Sequence, residues 1–423
     1  MPGPLDGIRV LELGTAVQGP SAGQLLSDLG AEVVRVEPPQ GEVNRYFRGV
    51  GNSTAPETPG TQFLTTNRGK RFVILDATTE RGKDAILRLM KRSDVFLSNY
   101  RQAALEKLGL DYEAARAANE GIVYGHVNGF GQFGPDAAKP MIDGAAQARG
   151  GVCSVTGEPD GPPTLPGAML ADYAGGMQLT LGILGALVAR QQTGRGQRVE
   201  TSALGAQLWL QSWEIGHASV TGYIPQRSGA HSPMTPNGYG VYETADGRFL
   251  LSAYFHTEEA WTAFCEYADM PDLATDPRFD SVAKRLGVGP DGEAAAALRP
   301  YLCDAYARHT FDEWQAFFEP LKDAVIQEGI RSYADVLEDP QNLANDHLLE
   351  FEIPGVGPRK LVGPCIWMSD TTVEPGTSFP SLGEHTDEVL AELGFDESER
   401  AAIRSDTHAA REKLGLPPDD SAR

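Results

Sequence analysis

The stretch IRVLELGTAVQGPSAGQLLSDLGAEVVRVE, residues 8–37, sets two short apolar runs, IRVLEL and EVVRVE, on either side of a helix-like segment, AGQLLSDLG. Apolar runs rich in valine and isoleucine and bounded by glycine read as strands. Two strands joined through a helix favour parallel pairing, because parallel neighbours need such a crossover while a tight turn only reverses the chain. The same alternation continues through FVILD (72–76), a helix near Glu80 to Lys91, DVFLSN (94–99) and GIVYGHV (121–127). The expected fold class is therefore α/β, a parallel sheet wrapped by helices.

Outward from this region the pattern changes. TGRGQRVETS (193–202) leads into Ala203 to Val220, which reads as one long helix, and GYIPQRSGAHSPMTPNGYG (222–240) has the glycine, proline and serine content of a loop. Two alternating strands joined through Asp246-Gly247 then signal a hairpin, and helical segments follow at 256–268, 292–308 and 310–322. The expectation is a small α+β domain over 223–335, inserted in a large domain built from 1–222 and 336–423. Strand character breaks off near Val199 and resumes near Lys360, so both chain ends are expected in one sheet, and the tail GLPPDDSAR (415–423) is expected to fray.

The 423 residues carry 58 acidic against 36 basic side chains, a formal charge of -22. That field repels nucleic acid and anionic lipid, so neither is expected as a partner. Cys153, Cys265, Cys303 and Cys365 are scattered without metal-ligand spacing, which fits reduced thiols and a cytoplasmic protein with no metal. The apolar run Tyr173 to Ala189 is interrupted by glycines and Gln178 and reads as a buried helix rather than a membrane span.

GFGQFG (129–134) matches a dinucleotide-binding glycine pattern after a strand. That pattern needs a helix to start inside it, and Pro135, Asp136 and Pro140 stand there instead, so it reads as a loop. PGAMLADYAGG (166–176) places Asp172 before the apolar run, flanked by Ala171, Ala174, Gly175 and Gly176. Two readings stand: a cap accepting helix N–H bonds, or a nucleophile whose small neighbours admit a bulky substrate.

Seven strings, PLDGIRVLELG, GPSAGQLLSDLGAEVVRVE, SDVFLSNYR, GFGQFGP, AMLADYAGG, ALVARQQTGRGQRVETS and SLGEHTDEVLAELG, occur in order along nearly the whole chain. Together they resemble the class III CoA-transferases, a superfamily that includes formyl-CoA transferase, carnitine CoA-transferase and α-methylacyl-CoA racemase. The resemblance implies a Rossmann-like large domain, a small inserted domain and an interlocked homodimer. It implies acyl-CoA and a free carboxylic acid as substrates, CoA thioesters passing through without a permanently bound cofactor. It also makes Asp172 the nucleophile.

Gln18 is the candidate oxyanion donor, although the family's glutamine lies one place earlier, at Val17 here. The segment touching the nucleotide corresponds to Asn99, Tyr100, Arg101 and Lys107, with Lys139 near a further contact and Arg71 in the basic run NRGKR (67–71). Pro38 and Thr78 replace basic residues of formyl-CoA transferase, and the mobile glycine run of that enzyme is reduced here to Gly229 and Gly238 around His231. The first departure implies that adenine and phosphate contacts differ in detail, and the second argues against formyl-CoA and oxalate. His231, Gly229 and Tyr239 are the candidate acyl-pocket residues.

The related racemases carry a proton between the matching aspartate and a histidine just before the acid at Asp143. Ile142 occupies that place here, leaving only His126 on a strand as a distant substitute. Racemase chemistry and a non-catalytic CoA-binding homologue remain as alternatives to transfer.

Overall fold

The computed structural model describes residues 2–48, 50, 58–235, 237–287 and 295–417. The start of the expected helix at 292–308 and the end of the tail therefore lie outside the described residues. Contacts divide the chain into two compact units, one of Met1–Gly150, Ala168–Leu210 and Leu337–Arg423, the other of Gly151–Gly167 and Gln211–Val336. The second unit thus starts before residue 223 and also takes the excursion 151–167.

The first unit is organised by six parallel strands, β1 (Arg9–Leu13), β2 (Glu32–Glu37), β3 (Arg71–Ile74), β4 (Val95–Ser98), β5 (Val123–Asn128) and β6 (Arg198–Ser202). Their order is β3-β2-β1-β4-β5-β6, the doubly wound arrangement in which the chain reverses direction across the sheet between β1 and β4. Loops at the carboxyl ends of those two strands splay apart, and the crevice between them is where such sheets bind ligands. Near-continuous burial of β1, β2, β4 and β5 follows from helices covering both faces.

Helix α1 (Gln18–Asp28) follows β1, helix α2 (Asp143–Arg149) follows the loop after β5, and helix α3 (Leu170–Thr193) crosses back to β6. The stretch 129–134 forms no helix, and Gly131 and Gly134 take positive φ in the loop, as the prolines demand. The expected long helix from Ala203 breaks at Gln211 into Ala203–Leu210 and Ser212–Thr221.

The return segment does not add a strand to the main sheet. It forms a separate antiparallel hairpin, β10 (Leu348–Ile353) with β11 (Gly357–Val362), and then two helices, Thr386–Glu392 and α4 (Glu397–Lys413). The expectation of one shared sheet is corrected here. What the end of the chain supplies is the apolar face Val389, Leu390, Leu393, Phe395 and Ile403, which completes the core on one side of β1 and β3.

The second unit carries the antiparallel strands β7 (Gly240–Glu243), β8 (Phe249–Phe255) and β9 (Val325–Gly329). An aromatic core including Trp261, Phe264, Tyr306, Trp314 and Phe318 fills it. The β7–β8 turn runs through Gly247 at φ +75°, which accounts for the glycine of the Asp-Gly pair.

Helices α1 and α3 approach closely because α3 begins with glycines. A Cβ on Gly176 would stand 2.1 Å from Ser21 Oγ and 2.9 Å from the Gln18 carbonyl oxygen, and one on Gly175 would stand 2.8 Å from Gln18 Nε2. These two glycines admit α1. Gly176→Ala should therefore lose about 1–3 kcal/mol of stability by overpacking, despite the better helix propensity of alanine. Thermal and denaturant unfolding of the variant against Gly185→Ala, where a Cβ meets nothing within 4 Å, measures it.

Candidate active site

Asp172 lies in the first turn of α3, two residues after Leu170, and is only 8% exposed. Its side chain caps nothing. The backbone N–H groups of Ala171 and Asp172 instead donate to Asp143 Oδ1, at 2.9 and 3.0 Å, so the acid that satisfies the helix N-terminus comes from α2. Gln147 Nε2 donates to the other oxygen of Asp143 and to the Ala168 carbonyl, tying α2 to the start of α3. The cap reading of Asp172 thus passes to Asp143.

Freed from capping, the Asp172 carboxylate accepts no hydrogen bond among the described residues. Burial, and then the nearby charge of Asp143, push its pKa up to about 7. The helix dipole favours a carboxylate at this position, but burial and the charge of Asp143 outweigh it. Asp172 is therefore a carboxylate poised to titrate near neutrality, an arrangement found where a group must act rather than brace.

Opposite it on α1, Gln18 is buried, and its Nε2 has no hydrogen-bond partner among the described residues. Val17 is buried at 1% exposure and offers no polar side-chain atom. The Gln18 amide lies beside α3 at Gly175, three residues after Asp172, where the glycine leaves space for it. A buried donor without an acceptor is costly, and one aimed at the helix bearing an unpartnered carboxylate is ready to meet developing negative charge.

A cleft of about 550 Å³ opens beside the carboxyl ends of β1, β2 and β3. Its lining includes Pro38, Thr78, Tyr100, Asp406 and Lys413. Of the residues expected at CoA, Tyr100 is in this cleft, and burial pushes its hydroxyl up to about 12. Asn99 is adjacent in sequence, but its side chain is spent on the α1 loop: Oδ1 accepts from Thr15 N and Nδ2 donates to the Thr15 carbonyl, both at 2.8 Å. Arg101 and Lys107, at the two ends of helix Gln102–Leu108, are exposed and form no ion pair among the described residues. Lys139 is exposed on the loop after β5, with its ammonium 5.6 Å from the Phe130 ring.

Arg71 does not join this set. Its guanidinium pairs with Glu32, Glu388 and Glu392, clamping the return segment against β3. The rest of that basic run is internal as well, Arg68 on Asp28 and Lys70 on Glu12, so the expectation of a cation cluster facing CoA is corrected. Sequence reading missed Lys413, which α4 delivers to the cleft with Asp406, Ala409 and Ala410 at helical spacing. It also left Asp143 without the capping role that the structure gives it.

In the second unit, Gly229 takes φ +61° and donates its N–H to the Gly157 carbonyl. His231 bridges to Gly240 and sets its ring edge-on to Tyr242, while burial and Arg299 lower its pKa. Tyr239 lies 6.2 Å from the Tyr254 ring. The substitute racemase base is not available for proton transfer: His126 is buried, with Nε2 2.8 Å from the Tyr100 carbonyl and Nδ1 3.5 Å from Glu200. Ile142 is exposed and carries no proton.

The family model described as CoA-transferase family III matches residues 5–386. The chain belongs to CoA-transferase family III. It is 32% identical over 406 residues to the succinyl-CoA:mesaconate CoA-transferase of Haloarcula marismortui, covering 93% of this chain and 97% of the relative. To the formyl-CoA:oxalate CoA-transferase of Streptomyces coelicolor it is 32% identical over 417 residues, covering 95% and 98%. A CAIB/BAIF family protein from Brucella suis, solved by crystallography, superposes with a TM-score of 0.80 at 30% identity, covering 93% of this chain and all of that one.

As a family III CoA-transferase, the chain handles CoA thioesters as substrates. No helix among the described residues is long and apolar enough to cross a membrane.

If Asp172 must be ionised to react, kcat/KM should rise with pH through about 7 and fall roughly tenfold per unit well below it. Asp143→Asn keeps the acceptor for Ala171 and Asp172 but removes the negative neighbour. Its acidic limb should shift to lower pH while staying above that of a free aspartate, since burial is the larger cause. A pH–rate profile of the two proteins checks both the position and the sign.

Proposed function

We propose that this CoA-transferase moves CoA from a donor acyl-CoA to a free carboxylate through covalent intermediates on Asp172. The observation carrying this is a buried carboxylate that accepts no hydrogen bond among the described residues, on the helix that the unpartnered Gln18 amide meets at Gly175. The Asp172 oxygen attacks the donor thioester carbonyl, and the C–S bond breaks to give a mixed anhydride and CoA thiolate. The thiolate then attacks the aspartyl carbonyl, releasing the donor acid and leaving an aspartyl-CoA thioester. The acceptor carboxylate reverses both steps, first displacing the thiolate as an anhydride, then receiving it on its own carbonyl and returning the Asp172 carboxylate. No net proton is needed, and each tetrahedral step places charge where Gln18 Nε2 donates.

The cleft lined by Tyr100 and Lys413 is the proposed nucleotide site, with Arg101, Lys107 and Lys139 as phosphate partners that counter the acidic chain. Gly229, His231 and Tyr239 are proposed on the acyl side, supported by a His231 Nε2 that is buried without a partner among the described residues. The second unit is proposed as the inserted small domain. Succinyl-CoA is the proposed donor, because it is named for relatives 32% identical to this chain. The test is a matrix of succinyl-, acetyl- and formyl-CoA against dicarboxylic, hydroxy and aromatic acids, read by mass spectrometry of the CoA products. Transfer restricted to formyl-CoA and oxalate would overturn the donor assignment.

Hydroxylamine or borohydride trapping after donor addition should modify the Asp172 peptide alone, and Asp172→Asn should lose transfer by several orders of magnitude. Folding should survive. Because Asp172 is raised in the folded state, wild type loses stability as pH climbs from about 4 to about 7, whereas the amide does not. The melting-temperature difference between variant and wild type should therefore move in the variant's favour across that window. Near wild-type turnover by the variant would remove Asp172 from the chemistry.

An interlocked homodimer is also proposed. Met177, Leu181 and Val188 on α3 and Leu208, Trp209 and Leu210 on the next helix are exposed apolar side chains within one unit, more than a solitary surface favours. Light scattering should report a dimer at micromolar concentration, and Leu181→Glu should weaken it.

A further inference from the structure

The loop Gly14-Thr15-Ala16-Val17 carries the chain from β1 into α1, and it makes its turn at a residue unsuited to turning. Ala16 sits at φ +57°, in the left-handed region where a Cβ crowds the backbone. Such a conformation persists only where the surroundings over-determine it. The surroundings here are specific. Glu42 is 3% exposed, and its Oε1 accepts from Ala16 N at 2.9 Å and from Thr15 Oγ1 at 3.1 Å. Its other oxygen faces Arg35 at 3.8 Å, and Arg35 in turn donates to the Gly14 carbonyl at 3.0 Å. Glu42 is itself held, since its N–H donates to Glu37 Oε2 at 2.9 Å.

Two residues beyond Ala16 stands Gln18, whose amide is the unpartnered donor beside α3. Without an acceptor for its N–H, Ala16 would relax to negative φ, and the start of α1 would rotate. We infer that Glu42 is a positioning residue, which by holding Ala16 in its left-handed turn fixes where the Gln18 amide points. Glu42 touches no reacting atom in this scheme; it acts through Gln18, and the inference rests on the proposed role of that amide.

A double-mutant cycle tests it. Glu42→Ala should lower kcat about tenfold or more with KM for the acyl-CoA within twofold, because the proposed nucleotide cleft does not include Glu42. Glu42→Gln keeps an oxygen acceptor for Ala16 and should retain most of the activity. In a Gln18→Ala background Glu42→Ala should cost nothing further. Ala16→Gly in the Glu42→Ala protein should restore part of the loss, because glycine adopts the turn unaided. That variant also keeps the test open should Glu42→Ala alone fold poorly.

A loss that multiplies with Gln18→Ala, or one confined to KM, would overturn the inference. Independently of turnover, ¹⁵N-glutamine labelling should show the Gln18 side-chain amide signal, identified by its absence in Gln18→Ala, shifted in Glu42→Ala and restored in Glu42→Gln. An unmoved signal would also overturn it. Failure of the transferase mechanism would appear instead in the substrate matrix and the Asp172 trapping, which do not involve Glu42.

Discussion

Helix α1 rests against α3 at a distance that leaves Gly176 no room for a methyl group, and the arrangement of the candidate active site descends from that contact. The closeness seats the Gln18 amide at Gly175, three residues after Asp172 on the same helix. The start of α3 has no side-chain cap of its own, Met169 standing at the N-cap position. The need is met from outside by Asp143, and its charge then helps hold Asp172 near neutrality.

Beneath α1 a second constraint works through buried charge. Glu12, fully enclosed on β1, pairs with Arg35 and with Lys70, and Lys70 also donates to the Pro20 carbonyl at 2.8 Å. Burial pulls the Lys70 ammonium down to about 8 although Glu12 opposes it. Such a network contributes little net stability over an apolar core, because desolvation offsets most of its attraction. Its value lies in geometry, since removing any one member leaves another charge unpaired. A Cβ on Gly23 would run into Glu12 at 2.0 Å, so the helix and the network fit only together.

In the proposed CoA site, the conflict between an acidic chain and an anionic substrate falls to a few exposed cations. Many of the strongest cations are consumed by the fold: Arg35, Arg45 and Arg68 are buried on Glu12, Glu37 and Asp28, and Arg71 is a staple for the return helices. Arg101, Lys107 and Lys139, the proposed phosphate partners, remain exposed on loops and helix ends.

The strand–helix alternation was legible from residues 8–37 onward because period and β-branching are local properties, and the ordered motifs carried the family. The run NRGKR misled because charge in sequence does not say which carboxylates the fold will bring to it; Asp28, Glu12 and Glu392, all distant in sequence, pair with Arg68, Lys70 and Arg71. The return segment misled for a related reason. An apolar run near Lys360 reads as a strand whether it joins the main sheet or pairs with its own hairpin, and hydrogen-bond partners far along the chain are not written in either. The sequence by itself determined the α/β class, the family and Asp172 as the carboxylate to examine, all of which rest on local pattern and motif. Only the tertiary structure decided that Asp143 rather than Asp172 caps α3, that the Gln18 amide meets α3 at Gly175, and that α4 completes the cleft with Lys413. Each of these depends on which distant segments meet, and burial and charge take their effect only after they have met.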